Sequence, residues 1–324
     1  LFGGSLSSAT NIKADDITIQ GKGERIGGII GYNYGIGTIN NTEIQQSSIT
    51  GTGNYVGGIV GFYDNGNVTT NNELKSVNNM IQSNGSNVGG IAGGISTSYA
   101  STFNYCEVVD SEISGMSNVG GISGVQGGSI QYSGIKYTKV NGISTNSRNV
   151  GGILGQQGSE SVHYCYVENS EIISKGSIVG GIAGEENRAI DYSYVKDTKK
   201  ERKSEVGGIV GRKRSVYSVN TNYTNAEIKA LEKNAGGIVG YYVNQYTTLS
   251  NIMEIYNNAV EGAKIEAPEN VGGLIGYIEE ELYTQTGSNY YRNNYVQAYL
   301  TSENPITVSL GIGSSKKEND KLTN

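Results

Sequence analysis

A six-residue pattern recurs nine times along the chain, and it constrains the fold more than any other feature of the sequence. The pattern is a hydrophobic residue, Gly-Gly, Ile or Leu, any residue, and Gly. The copies begin at Ile26, Val56, Val88, Val119, Val150, Val179, Val206, Ala235 and Val271. Their first glycines are 30, 32, 31, 31, 29, 27, 29 and 36 residues apart. Such regular spacing indicates one supersecondary unit repeated along the chain.

A second block with the pattern of two short strands follows each copy. In one of them, Val108 and Ile113 flank a polar turn, so the chain bends before the next apolar residue points inward. Each unit is too short and too rich in glycine to bury its own apolar face, and it must stack on its neighbours. The sequence therefore predicts an all-β fold, a right-handed parallel β-helix (solenoid) of about ten rungs with three short strands per rung. A rung is one complete circuit of the coil.

The Gly-Gly pair and the alternation of side chains predict how the rungs pack. Glycine pairs allow tight turns and a close approach of neighbouring rungs or layers. If Val108, Ile135, Val167 and Val195 point inward, then so do the residues two positions earlier. These are Cys106, Ser133, Cys165 and Ser193, and the same slot is assigned to Thr42, Asn72, Asn258 and Asn294 in other repeats. We expect a ladder of small polar groups there, with two buried free thiols two rungs apart.

The repeats place the whole chain, 1–324, in a single solenoid domain. We expect an N-terminal cap at 1–18, repeats over 26–303, and a C-terminal cap with a polar tail at 304–324. The sequence starts at Leu1 in the middle of the pattern and without an export signal. It reads as a fragment of a longer protein whose signal or anchor lies outside it.

Charge and hydropathy argue against two classes of partner. The formal net charge is -6 and the pI is near 5.1, so nucleic acid is not an expected partner. No apolar stretch is long enough to insert into a membrane. Basic residues cluster at Lys199, Lys200, Arg202, Lys203 and Arg212, Lys213, Arg214. Because Glu201 and Glu205 interrupt this cluster, we expect a solvated face.

The Val-Gly-Gly-Ile-Val-Gly core, with a period near 30, resembles the GLUG repeat over about residues 26–277. This repeat occurs in bacterial surface adhesins and in the non-catalytic N-terminal region of IgA-cleaving zinc peptidases. The resemblance implies a secreted protein at the bacterial cell surface. In its expected solenoid and its many tyrosines, the chain also resembles the tapirins. These are cellulose adhesins that present aromatic side chains on a flat surface.

Catalytic chemistry is sparse in the sequence. The chain has one histidine, His163, which cannot supply the paired histidines of a zinc peptidase. Acidic residues near one strand and turn, such as Glu107, Asp110 and Glu168, are expected to be solvating. We predict a non-enzyme with no metal and no cofactor. A polysaccharide-degrading β-helix enzyme, which would use clustered carboxylates, is an alternative.

Tyrosine is the unusual residue, because the chain has 24 Tyr, 3 Phe and no Trp. These rings are expected on the outer surface, where they can stack on sugar rings. The candidate ligand-binding residues are Tyr105, Tyr132, Tyr164 and Tyr192 in one outward column, Tyr166 and Tyr194 in the next, and Tyr241, Tyr242 and Tyr246 in a longer repeat.

The preferred hypothesis is a monomeric adhesin module that binds an insoluble polysaccharide or cell-wall glycan, cellulose above all. Besides the enzyme, two alternatives stay open. In the first, the tyrosines only support one another across rungs. In the second, the solenoid is a spacer or a host-glycoprotein-binding region of a larger surface protein or peptidase.

Overall fold

The computed structural model describes residues 8–35, 38–65, 69–70, 73–96, 101–244, 254–280, 290–304 and 307–315. Within these ranges the chain forms β-strands and no α-helix, and every pairing between strands is parallel. The strands stack as a β-solenoid built from three sheets, which confirms the predicted fold class. No helix in the described ranges could cross a membrane.

Sheet 1 has 26 strands, which follow three adjacent columns along the solenoid. The first column contains Ser8–Asp15, Thr38–Gln45, Leu74–Val77, Glu107–Val109, Gly134–Lys136, Tyr166–Glu168, Tyr194–Lys196, Tyr223–Thr224, Ala259–Glu266 and Tyr295–Thr301. The second contains Thr18–Gly21, Ser48–Gly51, Met80–Ser83, Glu112–Gly115, Lys139–Gly142, Glu171–Ser174, Lys199–Gly207 and Glu227–Gly236. The third contains Ile26–Gly27, Val56–Gly57, Val88–Gly89, Val119–Gly120, Val150–Gly151, Val179–Gly180, Val271–Gly272 and Val308–Ser309, and the last two strands of the second column extend into it.

Sheets 2 and 3 complete each rung. Sheet 2 has ten strands, Ile30–Gly35, Val60–Asn65, Ala92–Ile95, Ser123–Gln126, Leu154–Gln157, Ala183–Glu186, Val210–Lys213, Val239–Asn244, Ile275–Glu280 and Ile312–Ser315. Sheet 3 has eight, Thr69–Thr70, Thr102–Asn104, Ser129–Gln131, Val162–His163, Ile190–Asp191, Val219–Asn220, Glu254–Tyr256 and Tyr290–Arg292. Strand Ser8–Asp15 pairs with Thr38–Gln45 in the first column of sheet 1.

The core is a set of aliphatic columns, one residue per rung. In the second column of sheet 1, Ile49, Ile81, Ile113 and Val140 are in register and fully buried. Each lies on the next at the spacing of parallel strands, about 4.8 Å. Because no rung could bury these residues alone, the hydrophobic stabilisation comes from contact between rungs.

The glycines of the repeat are in register and allow two sheets to pack backbone against backbone. Gly151 pairs with Gly120 on one side and with Gly180 on the other. A Cβ on Gly151 would lie 2.7 Å from the backbone nitrogen of Gly184, in sheet 2. A Cβ on Gly155, the third glycine of the same copy, would likewise overlap the backbone of Asn118. The predicted close approach of neighbouring layers is therefore confirmed, and it explains why the pattern needs three glycines.

The corners between columns hold non-glycine residues in the left-handed conformation. Many of them are asparagines, such as Asn87 (φ 63°), Asn118 (φ 50°) and Asn149 (φ 58°). Asparagine tolerates this conformation better than other L-residues with side chains. These three also bond to one another from rung to rung, at 2.8 and 3.0 Å between Nδ2 and Oδ1.

Candidate functional site

Four of the predicted tyrosines form a continuous stack at the corner between sheet 3 and the first column of sheet 1. We call Tyr105, Tyr132, Tyr164 and Tyr192 the tyrosine ladder. Their ring centroids are 5.3, 4.9 and 5.1 Å apart along the stack, and the interplanar angles are 15°, 1° and 17°. Each side chain is 44 to 50% exposed. The predicted outward column of four consecutive rungs is therefore present.

Stacking changes which part of each ring a ligand can reach. Both faces of Tyr132 and Tyr164 are covered by neighbouring rings, so a sugar ring cannot stack on them as expected from the sequence. Ring edges and hydroxyl groups remain on the surface. Within the described ranges, none of the four hydroxyls has a hydrogen-bond partner. The ladder thus presents four phenol groups in a row, one per rung.

The backbone of the ladder is strained. All four residues are left-handed, with φ between 50° and 56°. In other rungs the same corner holds Asn11, Asn41, Glu73, Thr221, Asn257 and Asn293. The left-handed conformation costs a residue with a bulky side chain roughly 1–2 kcal/mol. Near both ends of the solenoid this corner holds asparagine, whereas the four rungs of the ladder have tyrosine there.

Tyr166 and Tyr194 lie on the outer face of the first column, as predicted, but their hydroxyls are already bound. Tyr166 donates to Glu107 at 3.0 Å and Tyr194 donates to Glu168 at 2.6 Å. Burial, followed by the neighbouring carboxylates, raises the pKa of both phenols, that of Tyr194 to about 12. Three ring carbons of Tyr166 are nearly equidistant from the position of a Cβ on Gly134, so the ring face covers this glycine.

The three tyrosines of the longer repeat, Tyr241, Tyr242 and Tyr246, do not form one surface in the structure. Tyr241 is on the outer side of sheet 2, stacked on Tyr277 at 5.8 Å, and its hydroxyl donates to Glu279. Tyr242 is 1% exposed, because alternation in strand Val239–Asn244 turns it into the core. The prediction that the ring of Tyr242 lies on the outer surface was wrong. Tyr246 lies outside the described residues.

The inner polar ladder is present, with one slot corrected. Cys106 and Cys165 are buried free thiols separated by the rung of Ser133, as predicted. Backbone N–H groups of one rung donate to side chains of the next, for example Cys165 to the Ser193 hydroxyl at 3.1 Å. In the rung before Cys106, the inward slot was assigned to Asn72, but Leu74 occupies it. Asn72 itself lies outside the described residues.

Sequence reasoning also missed Asn222 in this ladder. Its backbone N–H donates to Oδ1 of Asn258 at 3.0 Å, and the N–H of Asn258 donates to Oδ1 of Asn294 at 3.0 Å. The repeat at 206–240 has no clear second block, but Asn222 lies 29 residues after Ser193. The repeat length alone would have placed it in the slot.

Basic residues that were expected on a solvated face are partly inside the solenoid. Lys213 is 0% exposed and its ammonium is 3.0 Å from the Glu186 carboxylate, which is equally buried. The hydroxyl of Ser215 donates to the other oxygen of Glu186 at 2.6 Å, and Lys213 donates to the carbonyl of Tyr217 at 2.5 Å. Lys200 is also fully buried. The prediction of a solvated face was wrong here, because the inward positions of two strands fall within the basic cluster.

His163 is on the outer side of sheet 3, 3.5 Å from the carboxylate of Asp191. Burial raises the pKa of Asp191, and the nearby imidazole acts in the opposite direction. Among the described residues, no group of three or more His, Cys, Asp or Glu side chains is placed to hold a metal ion.

Comparisons with known proteins identify no family. No family model matches the chain, and no curated protein matches it. Among solved structures, the chain is similar to a candidate immunoglobulin A1 protease from Bacteroides ovatus, with 14% sequence identity and a TM-score of 0.34. The match covers 90% of this chain and 67% of the other. A likeness of this size establishes neither a shared fold nor a shared activity.

Proposed function

We propose that this solenoid is a non-catalytic adhesin module that binds an insoluble polysaccharide of the cell exterior along the tyrosine ladder. Cellulose is the leading candidate ligand. The ladder follows the solenoid axis, so its hydroxyls and ring edges meet an extended polymer at regular intervals of about one rung. A preformed row of rigid aromatic side chains binds with little loss of conformational entropy.

The observation that carries this proposal is the use of tyrosine at four successive left-handed corners, since such corners recur along the solenoid and many of them hold asparagine. Stacking contributes about 0.5–1.5 kcal/mol per aromatic pair, and the four rings make three pairs. The left-handed conformation costs roughly 1–2 kcal/mol for each of the four residues. Stacking thus offsets only part of the cost, whereas asparagine would avoid it. Strained residues that persist in a fold concentrate at functional sites.

The alternative in which the tyrosines only support each other is favoured elsewhere on the surface. The hydroxyls of Tyr166 and Tyr194 are bound to Glu107 and Glu168 within the protein. A ligand would have to displace these hydrogen bonds. We therefore assign Tyr166 and Tyr194 a mainly stabilising role and assign ligand binding to the ladder.

The test replaces Tyr132 and Tyr164 together by Asn, the residue that occupies this corner in other rungs. Binding to crystalline cellulose, and to a panel of other insoluble polysaccharides, is measured by pull-down and depletion isotherms. We expect affinity to fall roughly tenfold, since two lost hydroxyl hydrogen bonds at about 0.5–1.5 kcal/mol each amount to about 1–3 kcal/mol. Stability in urea should be unchanged or higher, because Asn relieves the backbone strain.

A matched control is Tyr137→Asn. Tyr137 is also left-handed (φ 49°) and 60% exposed, but it lies at a different corner, outside the ladder. The control should bind like the wild type. Equal binding by the double variant would remove the ladder from the site. If the wild type binds no glycan, the spacer alternative is favoured. If incubation with a polysaccharide releases more reducing sugar than a boiled control does, the non-catalytic assignment is wrong.

A further inference from the structure

Lys200 occupies a position in the core that other rungs give to an aliphatic residue. It lies in strand Lys199–Gly207, in register with Ile172 on one side and Ile228 on the other. The side chain is 0% exposed, and Nζ has no hydrogen-bond partner within the described ranges. A buried ammonium without a partner is among the most costly groups in a protein interior.

Among the described residues, no charged group lies close enough to compensate the charge of Lys200. Its Cε lies 3.0 Å from where a Cβ on Gly181 would be, so the methylene chain runs along this glycine. Glu171 and Glu227 align with Lys199, on the outer side of the sheet. Glu201, also on the outer side, pairs with Lys199 at 3.6 Å. The buried carboxylate of Glu186 is bound to Lys213 and Ser215.

We infer that the rung of residues 183–207 is a pH-sensitive weak point of the solenoid, which opens when Lys200 takes up a proton. This rung also carries Tyr192, the last residue of the tyrosine ladder. Opening would break the ladder at that end and interrupt the column of aliphatic residues on both sides. The inference concerns the scaffold and does not depend on the identity of a ligand.

The direction of the effect follows from proton linkage. Burial lowers the pKa of Lys200 from 10.5 to about 7 in the closed rung. An open rung exposes the amine and restores its ordinary pKa, so opening binds a proton wherever the pH lies between these two values. Closed-state stability therefore rises with pH across this window and reaches its low limit below about pH 7. Given these two pKa values, the opening equilibrium increases roughly 30-fold between pH 8.5 and pH 6.

The two buried cysteines are built-in reporters of opening. Cys165 is covered by Ser193 of rung 183–207, whereas Cys106 is covered by Ser133, two rungs away. Burial raises the pKa of both thiols to about 12. Each thiol reacts only when it is exposed and then has the ordinary pKa of a free cysteine, so the ratio of the two labelling rates cancels the intrinsic pH dependence of the thiol reaction. A pyridyl disulfide reagent labels the intact chain at several pH values, and mass spectrometry of peptides gives the two rates.

We expect the ratio of Cys165 to Cys106 labelling to rise by tens of fold from pH 8.5 to pH 6. In Lys200→Met, and in Lys200→Ile, which carries the residue of the adjacent rungs, most of this rise should be lost. The pH dependence left in these variants reports Glu186, Asp191 and Lys213, whose pKa values burial also shifts. Lys199→Met, a substitution at an exposed neighbour, should keep the wild-type response. A flat ratio in the wild type would overturn the inference, and so would an equal rise in either Lys200 variant.

Discussion

Replacing Gly151 by alanine tests whether close backbone packing of sheets 1 and 2 holds the solenoid together. A Cβ at this position would lie 2.7 Å from the nitrogen of Gly184 and 2.8 Å from the carbonyl oxygen of Ile182, and closer still to that of Leu154. All three atoms belong to the backbone, so no side-chain rotation relieves the overlap. The two layers would have to separate by at least about 0.7 Å to reach ordinary contact distance.

The cost of that separation can be estimated from two contributions. Overpacking of a well-packed interior typically costs about 1–3 kcal/mol. The N–H of Gly152 donates to the carbonyls of Gly181 at 3.1 Å and Gly180 at 3.3 Å in the next rung. A backbone shift at Gly151 that breaks both bonds leaves this buried group unpaired, which costs about 1–3 kcal/mol more. We therefore expect Gly151→Ala to lower the free energy of unfolding by about 4 kcal/mol.

The assay is urea denaturation followed by far-ultraviolet circular dichroism, with Gly23→Ala as the matched control. Gly23 is exposed, and a Cβ there would meet nothing within 4 Å. The control should differ from the wild type by less than about 0.5 kcal/mol. If Gly151→Ala is as stable as Gly23→Ala, the repeated glycines are not required for layer packing, and the structural reading of the motif is wrong.

Two further substitutions test the buried polar groups. Lys213→Met leaves the Glu186 carboxylate buried without its cation and should lower the free energy of unfolding by about 3–5 kcal/mol. Adding Glu186→Gln should recover part of this loss, and a double-mutant cycle in urea measures the difference. A result in which the double variant is the less stable would contradict the assignment of the pair. Asn258→Ala removes the acceptor for the buried N–H of Asn222 and should cost about 1–3 kcal/mol in the same assay. Asn225→Ala, in the rung of Asn222, should cost less, because its hydrogen bonds to Asp197 are exposed to solvent.

The sequence alone predicted a large part of the candidate site. A single period near 30 brings Tyr105, Tyr132, Tyr164 and Tyr192 to the same corner of successive rungs, and alternation from Val108 places them outside. The same reasoning correctly buried Cys106 and Cys165. These predictions succeeded because, in a stacked coil, one register and one alternation rule determine the position of every residue.

The same rule, applied fully, would have found Lys200. Val108, Ile135 and Val167 are each followed five residues later by an inward aliphatic residue, and Lys200 follows Val195 at the same distance. Its membership of a basic cluster favoured the wrong interpretation, because charge patterning is usually a property of surfaces. Burial of Lys213 gave no comparable hydrophobic signal, since it depends on Glu186 in the neighbouring rung and on Ser215 in its own.

By itself, the sequence determined that the glycine-marked units stack as the rungs of a parallel solenoid and which residues share a column. Only the tertiary structure decided that the ladder rings stack face to face, that their corner is left-handed, and that Tyr242 and Lys213 lie inside. The reason is physical: a repeat fixes register through backbone hydrogen bonds between rungs, but ring orientation, corner geometry and burial depend on contacts among three or more strands. Such contacts exist only once the coil has closed.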